Sequence, residues 1–272
     1  MVELALPEID YTRYSNRQLA TIPLVVLGVA LAIIVARYLL TGVPVDLGIE
    51  FTGGTRIRFS TAESLAQVRD TLSGFTTEPI APLGGNGYRL ETQSAEIGPL
   101  TSTLEDAGYT IQSTNGFSGS FGEAAQEQAL FGLVLAFLGM AALVFVLFRT
   151  FVPSVAVVVS AFSDIMIPLA LMNVLGIELS LGTVAALLML IGYSVDSDIL
   201  LNNHILRRTG VTMTLTSISA MIVMWLVASG LEIRLLPDIG LILVFGLTAD
   251  LMNTYLLNMS LLRWYKYEGV AR

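Results

Sequence analysis

Six long apolar runs stand apart from one polar stretch along this chain of 272 residues. The runs cover residues 19–40, 129–148, 152–175, 179–201, 211–231 and 239–262. Each comes close to the roughly 20 residues that an α-helix needs to cross the hydrocarbon core of a bilayer. Between the first two runs, over 41–128, polar residues, glycine and proline return and the hydrophobic period shortens. Residues 54–60, GTRIRFS, alternate as a strand does. Ser60 followed by Glu63 predicts a capping box for a helix that puts Leu65, Val68, Leu72 and Phe75 on one face and stops at Gly74. A glycine-rich turn at 84–87 separates two short strands, the second over 88–92. Ile97, Leu100, Leu104 and Ala107 mark a second helix ending at Gly108, and residues 109–113 make a last strand. The order β-α-β-β-α-β predicts a ferredoxin-like domain, an antiparallel sheet with two helices on one face.

The pattern therefore predicts an α-helical polytopic membrane protein with six transmembrane helices and an α+β domain between the first two. Residues 1–18 precede the first span at 19–40, the domain takes 41–128, the other five spans fill 129–262, and 263–272 follow. Composition agrees: 54% of residues are hydrophobic, 13% are charged, and the mean hydropathy is +0.73, outside the range of soluble globules. The first apolar run is longer than a signal-peptide core and no small-residue cleavage site follows it, so it reads as a retained helix.

Charge adds orientation. Arg13, Arg17, Arg149, Arg207, Arg208, Arg263, Lys266 and Arg272 fall on one side of six crossings, against Arg37 and Arg234 near the other. By the positive-inside rule both termini are cytoplasmic, Arg207 and Arg208 are a cytoplasmic anchor, and 41–128 lies outside. That segment holds eleven acids and four arginines, a net of −7 out of the chain's −8. The sign excludes a nucleic-acid surface. Such acidity suits a protein in high salt, where self-repulsion is screened, and equally an acidic domain in ordinary medium.

The chemistry to explain is acidic. Asp164 lies in the third run, Asp196 and Asp198 in the fourth and Asp250 in the sixth, although an aspartate at a helix centre costs about 2.5–3.5 kcal/mol on insertion scales. Such residues face protein or water and serve as an ion or proton path, or as hydrogen-bonded glue to Asn173, Asn202, Asn253 or Asn258. At 100° per residue Asp196 and Asp198 point about 200° apart, so one faces the bundle and the other a cavity, partner or headgroups. Gly182 and Ala186 form a small-xxx-small pair, and Gly192, Gly240 and Gly246 suit close helix contact. Pro168 is expected to kink the third helix. Phe51, Thr52, Gly53 and Gly54 read as a turn, with a hinge between membrane and domain as the alternative. The chain has no cysteine and no metal-ligand spacing, which implies no cofactor and no metal. His204 reads as a headgroup-level side chain. The motifs of intramembrane aspartyl proteases are absent around Asp196 and Asp250, which argues against an enzyme.

GIEFTGG at 48–54, Ser163-Asp164, the run ELSLGTVAALLMLIGYSVDSD at 178–198 and TGVTMTLTS at 209–217 together resemble the SecF family of protein-export membrane proteins, in its archaeal and halophilic branch. The resemblance covers nearly the whole chain. It implies a SecD partner with six helices of its own, a position beside the Sec translocation channel, unfolded preprotein as substrate, surrounding lipid, and kinship with the resistance-nodulation-division transporters. Bacterial members are thought to draw on the proton-motive force. Their motif GYS-x-Asn-Asp-Thr puts an acid where this chain has Ser197, flanked here by Asp196 and Asp198. The resemblance also implies a longer segment between the fourth and fifth helices, where this chain offers Arg207–Gly210 as a loop. A non-transporting assembly scaffold and half of a small-molecule or lipid efflux pump are the competing readings.

Overall fold

The computed structural model describes residues 15–73, 80–92, 97–202, 207–231 and 235–264. The expectations for Arg13, Gly74, Phe75, His204, Arg234, Lys266 and Arg272 lie outside them, as do the side chains of Asn202, Arg207, Arg208 and Arg263.

Among the described residues six helices are long and apolar enough to cross a bilayer, and the protein is a multi-pass membrane protein. The first, α1 (Asn16–Thr41), is opened by a capping box in which Ser15 and Gln18 exchange hydrogen bonds, and closed by Gly42 in the left-handed conformation. A helical turn, α2 (Ile49–Thr52), leads into the α+β domain: β1 (Gly54–Ser60), α3 (Leu65–Leu72), β2 (Ile80–Gly84), β3 (Gly87–Thr92), α4 (Ile97–Asp106) and β4 (Thr110–Phe117). The sheet order β2-β3-β1-β4, antiparallel throughout, is the ferredoxin-like one. Alternation along β1 sends Ile57 and Phe59 inward, where Phe59 stacks between Tyr88 and Tyr109 over Val68, Leu72, Leu100 and Leu104.

One local expectation is corrected here. The capping box of α3 is built by Ser64 and Gln67, with the Ser64 N–H donating to Gln67 Oε1 at 2.9 Å. Ser60 instead ends β1, and the Glu63 carboxylate accepts from the Tyr109 hydroxyl.

The remaining spans are α5 (Gly119–Phe148), α6 (Phe151–Leu175), α7 (Leu181–Asn202), α8 (Arg207–Gly230) and α9 (Leu235–Met252), the last continued by a π-helical segment, Asn253–Asn258, and α10 (Met259–Trp264). Apolar residues surround these helices on all sides, as membrane spans require. Helix α9 packs on α6, α7 and α8, while α1 lies against α6 and the π segment. The main core joins α5, α6, α7 and α9 through Val144, Val157, Ile165, Leu187, Leu190, Ile242 and Leu247.

Three of the boundaries that differ from those read in sequence have a local cause. Helix α5 starts at Gly119 rather than residue 129, because its first turns pack on α2. Helix α7 starts at Leu181 rather than 179, because the Leu179 N–H is taken by the Asp46 carbonyl at 2.7 Å while Ser180 and Thr183 cap the helix reciprocally. Arg207–Gly210, expected as a loop, form the first turn of α8, whose Gly210 carbonyl accepts from the Thr214 hydroxyl at 3.1 Å.

Candidate functional site

Asp164, Asp198 and Asp250 are only 1–2% exposed and converge in the helix bundle. Helix α6 supplies Asp164; α7 supplies Ser194, Ser197 and Asp198 on adjoining turns; α9 and the π segment supply Asp250, Asn253, Thr254 and Asn258. Asp164 accepts from Ser194 Oγ at 2.7 Å and from Asn253 Nδ2 at 2.6 Å. Asp250 accepts from Ser197 Oγ at 2.7 Å and from Thr254 Oγ1 at 3.3 Å. Asp198 accepts from Thr254 Oγ1 at 3.1 Å and from Asn258 Nδ2. Hydroxyls that both donate and accept thus link Asp250 to Asp198, so adding or removing one proton changes which partner each can serve.

The π segment makes this possible. Its i→i+5 bonding brings residues five apart onto one face, and Asn253, Thr254, Leu257 and Asn258 are all buried. At 100° per residue Asn253 and Asn258 would diverge by about 140°. Asn253 and Asn258 were expected partners, Thr254 was not; three polar residues at 253, 254 and 258 in an apolar run were the available signal.

Two cavities border the network. Asp198 Oδ2 and Asn258 Oδ1 have no hydrogen-bond partner among the described residues, and both residues line a small, partly open cavity with Phe148, Pro153 and Leu262. Asp196 is exposed and lines a second small cavity with Tyr193, Ser197 and Asp250. The pair therefore splits as its angular separation demands. Asn173 is corrected: its amide donates to the Pro44 carbonyl at 2.9 Å, away from the acids. Asn202 closes α7. Among the described residues no three acidic or histidine side chains converge as metal ligands.

At the other end of α7 the membrane helices meet the domain. Gly48 donates to the Leu179 carbonyl at 2.8 Å and completes a parallel bridge between Leu47 and Leu179. Glu50, 7% exposed, accepts from Arg56 at 3.1 Å through one oxygen and from the Leu181 N–H at 3.2 Å through the other. Burial works against the Arg56 charge, but the carboxylates of Glu91, 2.6 Å away, and Glu50 more than offset it and hold the guanidinium above its ordinary range.

The glycine pair sets this geometry. Gly53 and Gly54 take φ of +78° and +123°, which turns the chain so that Glu50 and Arg56 meet. Phe51 is buried against Ala125 and Val184, and Thr52 Oγ1 donates to the Gly48 carbonyl at 3.4 Å. A Cβ on Gly53 would stand 2.8 Å from Gly119 Cα, and one on Gly122 would stand 2.4 Å from the Phe51 carbonyl oxygen. Sequence reasoning singled out the pair but missed Gly119 and Gly122; their spacing at the start of a helix was the signal.

Among the small residues, Ala186 is fully buried and Gly182 half-buried in α7. Gly240 and Gly246 allow α8 and α7 to approach α9. Gly192 is corrected: it is exposed, and nothing lies within 4 Å of where its Cβ would be. Helix α6 runs through Pro168 as one element.

A family model described as "SecD/SecF GG Motif" matches residues 38–64, and one described as "Protein export membrane protein SecD/SecF, C-terminal" matches 99–209. Proteins named "Protein-export membrane protein SecF" from Haloferax volcanii and Haloquadratum walsbyi are 56% and 58% identical over all of this chain and all of theirs. One from Pyrococcus furiosus is 40% identical over 91% of this chain and 90% of its own. The crystal structure of a Thermus SecDF, titled a translocon-associated membrane protein, superposes with a TM-score of 0.76 at 19% identity. That match covers 97% of this chain and 39% of SecDF, and shows a shared fold. With full-length relatives at these identities, the chain belongs to the SecF family of protein-export membrane proteins.

Proposed function

We propose that this chain is an auxiliary subunit of the Sec export machinery that acts with a SecD partner and couples movement of an ion, in the first instance a proton, to preprotein translocation. The acids carry this reading. Three carboxyl groups from three helices are held by hydroxyl and amide donors within the bundle, and two cavities reach two of them, one at Asp198 and one at Asp250. Intramembrane acids turned toward protein and water mark ion pathways. One charge moved through 100 mV yields about 2.3 kcal/mol, enough to bias a two-state element more than tenfold. Asp164, Asp198 and Asp250 would exchange the proton, and Asp196 would stand at a cavity mouth.

The basic residues at alternate helix ends support cytoplasmic termini, with residues 41–128 outside, facing the emerging preprotein. Helices α5 and α8 are little covered by the rest of the chain, which leaves apolar faces for lipid, SecD and the translocation channel. The test replaces Asp164, Asp196, Asp198 and Asp250 singly with Asn and follows export of a secreted reporter in an archaeal host lacking its own copy. The expected outcome is export reduced about tenfold or more for at least the three buried acids, with SecD still co-purifying. Unchanged export in all four variants removes the coupling role.

A further inference from the structure

We infer that Glu50 is a positioning residue that clamps α7, the helix carrying Asp196 and Asp198, to β1, so that the α+β domain and α7 move as one body. Glu50 sits outside the buried acid network, yet it is nearly inaccessible and spends its two oxygens on two different elements, Arg56 in β1 and the Leu181 N–H that opens α7. That N–H is one of the donors a helix leaves free at its start, where the dipole also favours a carboxylate. Arg56 is itself locked into the sheet, because it faces Glu91 across the β1–β3 ladder and binds its carboxylate at 2.6 Å. The path from α7 to the centre of the sheet therefore runs through three charge-assisted hydrogen bonds, at 3.2, 3.1 and 2.6 Å, rather than a flexible linker. The parallel bridge from Asp46 and Gly48 to Leu179 fixes the same helix end beside it. Gly53 and Gly54 have a role in this scheme: their left-handed φ values fold Glu50 and Arg56 onto each other.

The clamp rests on the export reading only for its functional readout. Because the chain has no cysteine, spin labels can be placed on introduced cysteines at Ser102, exposed on α4, and Met189, exposed on α7. In the full chain in lipid nanodiscs, the distance distribution between the labels is narrow in the parent. Glu50→Ala is expected to broaden it and to lower export toward the level of a strain lacking the chain, while SecD still co-purifies. Glu50→Gln keeps the side-chain volume and one acceptor oxygen, so it can hold only one of the two links; it is expected to broaden the distribution without loss of fold, and covers the case in which Glu50→Ala does not fold. A merely structural role would lower the melting temperature and leave the distribution narrow. An unchanged distribution in folded Glu50→Gln overturns the clamp. Broadening there together with normal export by the aspartate variants would keep the clamp and end the ion-coupling reading.

Discussion

A methyl group on Gly122 would press into the Phe51 carbonyl, and one on Gly53 would meet the backbone of Gly119 from a conformation that side chains rarely adopt. Backbone does not swing aside as a side-chain tip can, so overpacking of about 1–3 kcal/mol is the expected cost. Gly122→Ala and Gly53→Ala should each lower the melting temperature of the purified protein, whereas Gly98→Ala, with open space around it, should not. Equal melting curves for all three would show that the joint between α2 and α5 is loose. Tyr109 makes a different kind of prediction. Burial, and then its hydrogen bond to Glu63, pushes the Tyr109 phenol above its ordinary range. An unfolded tyrosine ionises near pH 10, so above that value the unfolded chain loses a proton that the folded chain keeps. The stability from this site is complete below about pH 10 and declines as pH rises toward the folded value. Tyr109→Phe has no proton to lose, and its domain should melt with a shallower dependence on alkaline pH. Parallel slopes would sink the assignment.

Contact between α7 and α9 depends on Gly246, because a Cβ there would stand 2.2 Å from the tip of Leu190. Gly246→Ala should therefore destabilise the bundle by about 1–3 kcal/mol, and Leu190→Ala in the same chain should restore part of the loss, since the two changes share one space. A double variant no better than the sum of the singles would mean that the helices are held apart by something else. Elements of this kind divide into those legible in the sequence and those that were not. The six spans and the β-α-β-β-α-β order were legible, because each is a periodic signal carried by neighbouring residues. So was the split between Asp196 and Asp198, which follows from helix geometry alone. The partners were harder to read. Glu50 and Leu181 are 131 positions apart, and nothing local to either announces the other. Gly192 looked like a packing glycine by composition but sits on the open side of α7. The π segment escaped because it departs from the 3.6-residue period on which the reading relied, and it is this departure that turns Asn258 toward Asp198.

At the scale of the whole molecule, the acids of segment 41–128 divide into two populations that should respond unequally to salt. Those of the domain surface, Asp70, Glu105 and Asp106, and Glu123 and Glu127 in the first turns of α5, are exposed, and segment 41–128 carries a net charge of −7. Their mutual repulsion acts through water and is screened over about 8 Å at physiological ionic strength and about 3 Å at 1 M. Glu50, Arg56 and Glu91 are largely shielded from solvent, so salt weakens their attraction much less. Repulsion is thus removed by salt while the clamp survives it, and the domain should gain stability as salt rises. The melting temperature of the chain in a fixed nanodisc should climb from about 0.1 M to above 1 M potassium chloride. Replacing Glu105 and Asp106 by Gln and Asn should flatten the climb by lowering the charge that salt has to screen. A melting temperature that falls with added salt would mean that exposed ion pairs, rather than self-repulsion, dominate the domain surface.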